Sequence, residues 1–402
     1  MKNLAQKIPT LLIAGLVLLS ISSCQWSQKK PTSEATTQTT TPGSVSQRMQ
    51  TMAQTYISLM SHIGTPSRFN ADENGPAIKQ KIQTLAQASQ SLKSDLPQVS
   101  LDPSLKILSS QFESEIRESL QSFEAGKKEY ARYALQNSLN TCVQCHTRTQ
   151  AGPAFVGNDF EQQLKQLSPL EKGEVLTATR NFESALAQFQ DLLSSDKVEN
   201  TLIREKAARH ALVITVKFLQ DPKASLEIAE TAAQSKASSA VLKDNARIWK
   251  TSIQEWRKEK ITPANTAGKI ALAKKWIAKA FYLNQRYKDQ AGDIYALRAS
   301  ALVHQLLDQS SQPQEKAELL LLAGESYEVL GNLQFTDLNE EFYEACIKQL
   351  PHSKIAVQCY NKLEQNIYEG YTGNAGTNIP DEVEDQLEKL NDLASPMKPT
   401  AP

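Results

Sequence analysis

Residues 138–153 read SLNTCVQCHTRTQAGP, in which Cys142, Cys145 and His146 form a Cys-x-x-Cys-His. Two thiols and an imidazole this close support three chemistries: covalent haem attachment, a share in a zinc site, or disulfide exchange. Exchange needs the attacking cysteine at a helix N-terminus after a strand, where the dipole favours thiolate. A structural zinc needs a fourth ligand. The chain offers no second cysteine-rich cluster, and His62, His210, His304 and His352 stand singly, as surface or hydrogen-bonded core histidines do. Haem attachment needs two thiols reaching the vinyl groups from one side of the porphyrin, with the adjacent histidine on iron from that face.

The elements around the motif weigh these options. Apolar residues recur at three- and four-residue steps and strand-like alternation is scarce, which predicts an all-α chain. The first predicted helix begins SVSQRMQ, with Ser44 and Gln47 spaced as a capping box, and the second lies in GPAIKQKIQTLAQASQSLKSDL. In the third, Leu105, Leu108, Phe112, Ile116, Leu120 and Phe123 make one apolar face. Asp102 suits its N-cap, Pro103 its first turn and Gly126 its end. KKEYARYALQNSLNTCVQCHTR is the fourth. Four amphipathic helices with modest loops predict an antiparallel four-helix bundle over residues 44–155. The motif then falls in the last turns of the fourth helix. The dipole there has the wrong sign for a thiolate and no strand precedes it, so haem attachment is the better reading.

The N-terminus speaks to the compartment. Lys2 and Lys7 precede an apolar run from Leu11 to Ile21, followed by small residues. That is the layout of a secretory signal over residues 1–23, and the run is about half the ~20 residues that span a bilayer. The ending ISSC resembles the lipobox of bacterial lipoproteins. The resemblance implies lipidation of Cys24 and, with Gln25 rather than Asp next, a periplasm-facing anchor in the outer membrane. Residues 24–43, rich in Ser, Thr, Gln and Pro, are predicted to be a flexible tether. Lys plus Arg and Asp plus Glu both number 44, so charge gives no argument for nucleic acid.

With CVQCH at the end of a fourth helix, residues 44 to 155 resemble the class II c-type cytochromes, the cytochrome c-prime family. The resemblance rests on the motif and the helix order. It implies one covalent haem c, thioether bonds at Cys142 and Cys145, and His146 as proximal iron ligand. Arg148 would pair with a haem propionate, or else be an ordinary exposed arginine near a helix end. No methionine follows the motif until Met397. In an antiparallel bundle the start of helix one lies near the end of helix four, which makes Met52 or Met49 the distal candidates. Met49, Met52, Tyr56 and Met60 also share one helix face, the pattern of plain core. Met60 lies ~12 Å beyond Met52, too far to reach the same iron, and His62 is further still.

Residues 165–395 are again predicted helical. The segment around Ala323, Gly324, Tyr327, Tyr343 and Pro351 resembles a tetratricopeptide repeat, with Gly324 permitting a close helix crossing. The spacing from Gly324 to Pro351 departs by a few residues from the ~34-residue repeat. The resemblance implies an α-solenoid whose concave face docks a protein partner. Cys346 and Cys359 flank a turn at Pro351–Ser353 at similar distances, so a helical hairpin would bring them together as a disulfide in an oxidising compartment. The glycines of GYTGNAGTNIP lack the Lys-Ser/Thr of a phosphate loop. That stretch is predicted to be an ordered loop leading to a last helix.

Two functions follow. One is an electron-transfer lipoprotein whose repeats dock a redox partner or a membrane complex. The other is a haem-based gas binder or scaffold. An enzyme finds no support, since there is no nucleophile–base constellation, no paired catalytic carboxylates and no second cofactor motif.

Overall fold

The structure is a computed structural model that describes residues 45–90, 92, 102, 104–148, 154–155, 157, 160–195, 200–259, 263–287, 290–331, 338–374 and 376–396. The targeting segment with Cys24, the tether, Ser44 and Pro103 lie outside them. The described chain is all-α apart from one two-residue hairpin. None of its helices is long and apolar enough to cross a membrane.

In chain order the helices are α1 (Val45–Ile63), α2 (Pro66–Asn70), α3 (Gly75–Gln90), α4 (Ser104–Glu124), α5 (Lys128–His146), α6 (Phe160–Leu164), α7 (Pro169–Ala178), α8 (Phe182–Ser194) and α9 (Thr201–Leu212). They continue as α10 (Pro222–Gln234), α11 (Ala240–Lys258), α12 (Thr266–Tyr287), α13 (Asp293–Gln309), α14 (Pro313–Leu330), α15 (Leu338–Gln349), α16 (Lys354–Gly370) and α17 (Asp381–Ala394). A π-helical turn, Val213–Phe218, follows α9.

Packing runs α1 on α3, α3 on α4 and α4 on α5. Helix α4 buries Leu108, Phe112, Ile116 and Phe123, the stripe its periodicity predicts. The Asp102 carboxylate accepts from the Ser104 backbone N–H at 2.9 Å and so caps the helix start. At the other end Gly126 turns to φ 77°, and Lys127 N–H closes back onto the Ser122 carbonyl at 2.8 Å. That closure needs a left-handed residue, which glycine adopts without steric cost.

Residues 42–402 form one compact unit, and α7 packs on α5. Helix α13 is buried on nearly every face, which places it at the centre of the later helices.

Gly324 of α14 lies against the Tyr343 ring of α15, and a Cβ there would fall inside contact distance of that ring. Gly324→Ala is therefore expected to cost about 1–3 kcal/mol by overpacking, read as a lower midpoint in urea unfolding at constant slope. An unchanged midpoint would mean that the ring moves aside freely. Cys346 on α15 and Cys359 on α16 are joined as a disulfide across the turn, a short closed loop worth ~3 kcal/mol on the chain-entropy model. In the glycine-bearing loop, Thr372 pairs with Thr377 and Gly373 with Gly376, so the predicted loop is a minimal hairpin before α17.

Candidate functional site

Cys142, Cys145 and His146 occupy the last turn and a half of α5. Spaced i, i+3 and i+4, they share one helix face. That face borders an apolar slot of about 700 Å³, part of it open to solvent. Across the slot stand Met49, Met52, Ala53, Tyr56 and Ile57 of α1, with Leu108, Ser109 and Phe112 of α4. The two candidate distal methionines thus face the motif. Met60 is buried in the core and absent from this wall. The Tyr56 hydroxyl donates to the Leu135 carbonyl, so it does not serve the slot as a free donor.

The remaining wall comes from beyond the expected bundle. Val175, Ala178 and Thr179, at the end of α7, close the slot beside the motif. Helix α7 begins with a full capping box, Ser168 with Glu171, which anchors its start. At its other end the Ala178 carbonyl accepts from His146 Nδ1. Arg180, held at φ 63°, returns a bond from Nη1 to the His146 carbonyl at 2.7 Å. With Nδ1 carrying the proton, Nε2 keeps its lone pair. That is the arrangement by which a backbone acceptor orients a metal-ligating histidine. Burial lowers the His146 pKa, partly opposed by the bond to Ala178, and the Arg180 charge adds to the lowering, so the ring is neutral near pH 7.

The thiols read differently from those of a redox dithiol. Burial pushes both up, and for Cys142 its neighbours Cys145 and Glu115 add to the effect. Both are protonated at neutral pH and are poor nucleophiles for exchange. Among the described residues no group of three or more His, Cys, Asp or Glu side chains gathers to hold a bare metal ion.

Arg148 departs from its expected place. It is neither exposed nor on the slot wall: its side chain is fully buried and its Nη2 pairs with the buried Asp102 carboxylate. Its Nε and Nη1 are buried, with no hydrogen-bond partner among the described residues. Asp102 also accepts from Ser104 Oγ at 2.5 Å and from His304 Nδ1 at 3.1 Å. Tyr327 donates to His304 Nε2 at 2.9 Å, and Lys217 Nζ donates to the Tyr327 hydroxyl at 3.0 Å. Burial alone would raise the Asp102 pKa, but Arg148, His304 and Ser104 outweigh it and hold the carboxyl well below the usual range. Burial, then the Arg148 charge, lowers His304 to about 4. The cluster is therefore Asp102⁻, Arg148⁺ and neutral His304. It joins the end of α5 to the centre of the later helices.

Sequence reasoning missed Ala178, Arg180, Lys217 and Glu115, and it gave no partner for His304. The first acts through a backbone carbonyl, which no residue type announces. The others are ordinary charged or imidazole side chains whose partners lie far away in sequence. Comparison with protein-family models, curated proteins and solved structures finds no match to this chain.

Proposed function

We propose that the protein is a lipid-anchored, mono-haem c-type cytochrome that passes electrons, built as a class II-like four-helix bundle over residues 44–155 joined to a tetratricopeptide-like solenoid over 165–395. The single observation that carries the reading is the His146 ring. Its Nδ1 is committed to Ala178 and its Nε2 is left over an apolar slot beside two thiols.

Cys142 and Cys145 would hold the haem by thioethers, His146 would ligate the iron, and Met52 or Met49 would supply a second ligand. When bound, haem supplies one-electron redox chemistry. The chain's part is positional and electrostatic. Val175, Ala178, Leu108 and Phe112 give the slot its apolar lining, and Ala178 with Arg180 fixes the His146 ring and backbone. Cys24 would anchor the chain to the outer membrane facing the periplasm, and the helical repeats would dock a redox protein or membrane complex. A second reading is favoured by the apolar wall itself: with both methionine sulfurs off the iron, the slot would admit a small gas.

The test is to express the full chain with c-type maturation and export. A haem that resists denaturation is expected, with a reduced spectrum unchanged by carbon monoxide. Rapid carbon monoxide binding would select the gas-binding reading. No covalent haem in maturation-competent cells would sink both.

A further inference from the structure

This inference rests on the cytochrome reading and deepens it. Glu115 lies on α4 one turn past Phe112, whose ring lines the slot. Its carboxylate accepts from Thr141 Oγ1 at 3.0 Å and from Gln111 Nε2 at 3.3 Å. Thr141 itself lines the slot and immediately precedes Cys142. Both donors are neutral, and among the described residues no cation pairs with Glu115.

The titratable groups facing it are Tyr56 from α1, Cys142 from α5 and Glu118 from its own helix. The cations of the neighbouring helices α3 and α5 have partners of their own. On α3, Lys79 pairs with Glu124 at 2.9 Å and Lys81 donates to the Ser58 carbonyl at 2.9 Å. On α5, Arg132 pairs with Glu129 at 3.0 Å, and Tyr130 donates to Glu118 at 2.7 Å. A half-buried carboxylate with only neutral partners loses solvation without gaining a counter-charge. Burial pushes this one up to about 7.

We propose that Glu115 is the proton acceptor that couples electron uptake at the haem site to proton uptake. One electron arrives from a one-electron redox protein and takes ferric iron to ferrous. One proton from solvent forms an O–H bond on the Glu115 carboxylate, and the net charge of the site is unchanged. The cause is Coulombic. Reduction removes a positive charge across a poorly solvated gap, so the carboxylate loses stabilisation and its proton affinity rises.

The experiment is spectroelectrochemistry of the haem-loaded full chain from roughly pH 5 to 9, spanning the window in which the carboxyl titrates. At fixed electrode potential the reduced-to-oxidised ratio is expected to fall up to tenfold per pH unit around pH 7, equivalent to about 59 mV for one electron. Glu115→Gln is expected to flatten that slope. An infrared difference spectrum should show a protonated carboxyl band rising on reduction in the wild type and missing in the variant. Should Glu115→Gln fail to fold, Thr141→Val is the second variant. It removes a donor that favours the charged form and should move the sloping region to higher pH. A flat wild-type profile, an unchanged slope in Glu115→Gln, or an unmoved region in Thr141→Val would overturn the proposal. Absence of covalent haem overturns the cytochrome reading and this one with it. Covalent haem with a pH-independent potential overturns this one alone.

Discussion

Replacing Cys142 and Cys145 together by serine is expected to remove all haem that survives acid–organic extraction, while either single replacement keeps one thioether and extractable haem stays low. The sulfurs sit i, i+3 on the slot-facing side of α5, so both bonds would form on one side of a planar ring. Serine keeps nearly the same volume and leaves the helix intact, so circular dichroism should be unchanged. This separates loss of attachment from loss of fold. The double variant should also show a lower thermal midpoint than the loaded wild type, because a group bound only by the folded state stabilises it. Equal extractable haem in the wild type and the double variant would show that these thiols form no thioether.

The second large effect is expected at Asp102. Asp102→Asn keeps the shape and can still accept from Ser104, but it leaves the Arg148 guanidinium buried without its counter-charge. Breaking one side of a buried pair costs about 3–5 kcal/mol, read by urea unfolding. Replacing Asp102 and Arg148 together by apolar residues of similar size should recover much of that loss. A cost for Asp102→Asn within the ±0.5 kcal/mol of ordinary surface changes would mean that water already solvates the guanidinium.

The same cluster gives a pH signature. His304 is neutral in the fold, with its pKa lowered from 6.5 to about 4. Its contribution is fully present above pH 6.5 and is lost as pH falls toward 4, because the unfolded chain takes up the proton first. At about 1.4 kcal/mol per pH unit that window holds on the order of 3 kcal/mol. The Asp102 contribution, from a depressed carboxyl, is lost only further down, below about pH 4. His304→Gln should flatten stability between about pH 6.5 and 4. A wild-type profile already flat there would refute the neutral, buried His304.

Two kinds of information separate in this chain. Local periodicity determined the helices: the stripe from Leu108 to Phe123 is buried as its spacing requires, because a 3.6-residue repeat admits one apolar face. The sequence alone also put Cys142, Cys145 and His146 on one face near a helix C-terminus, and Cys346 opposite Cys359 across a short turn. Both follow from short separations along regular elements. What holds the His146 ring was decided only by tertiary structure. Its acceptor is a backbone carbonyl on α7, outside the segment that the motif marks, and every residue type carries the same carbonyl. Arg148 was legible as a cation near the motif, but its partner was not. Asp102 looked like a helix cap and is one, yet its second oxygen also meets Arg148 and, some 200 residues along the chain, His304. Glu115 read as one more polar position on an amphipathic helix, and only the packing of α5 over it removed its solvent. Desolvation is a property of what surrounds a group, and the surroundings here come from chain segments that local spacing cannot place.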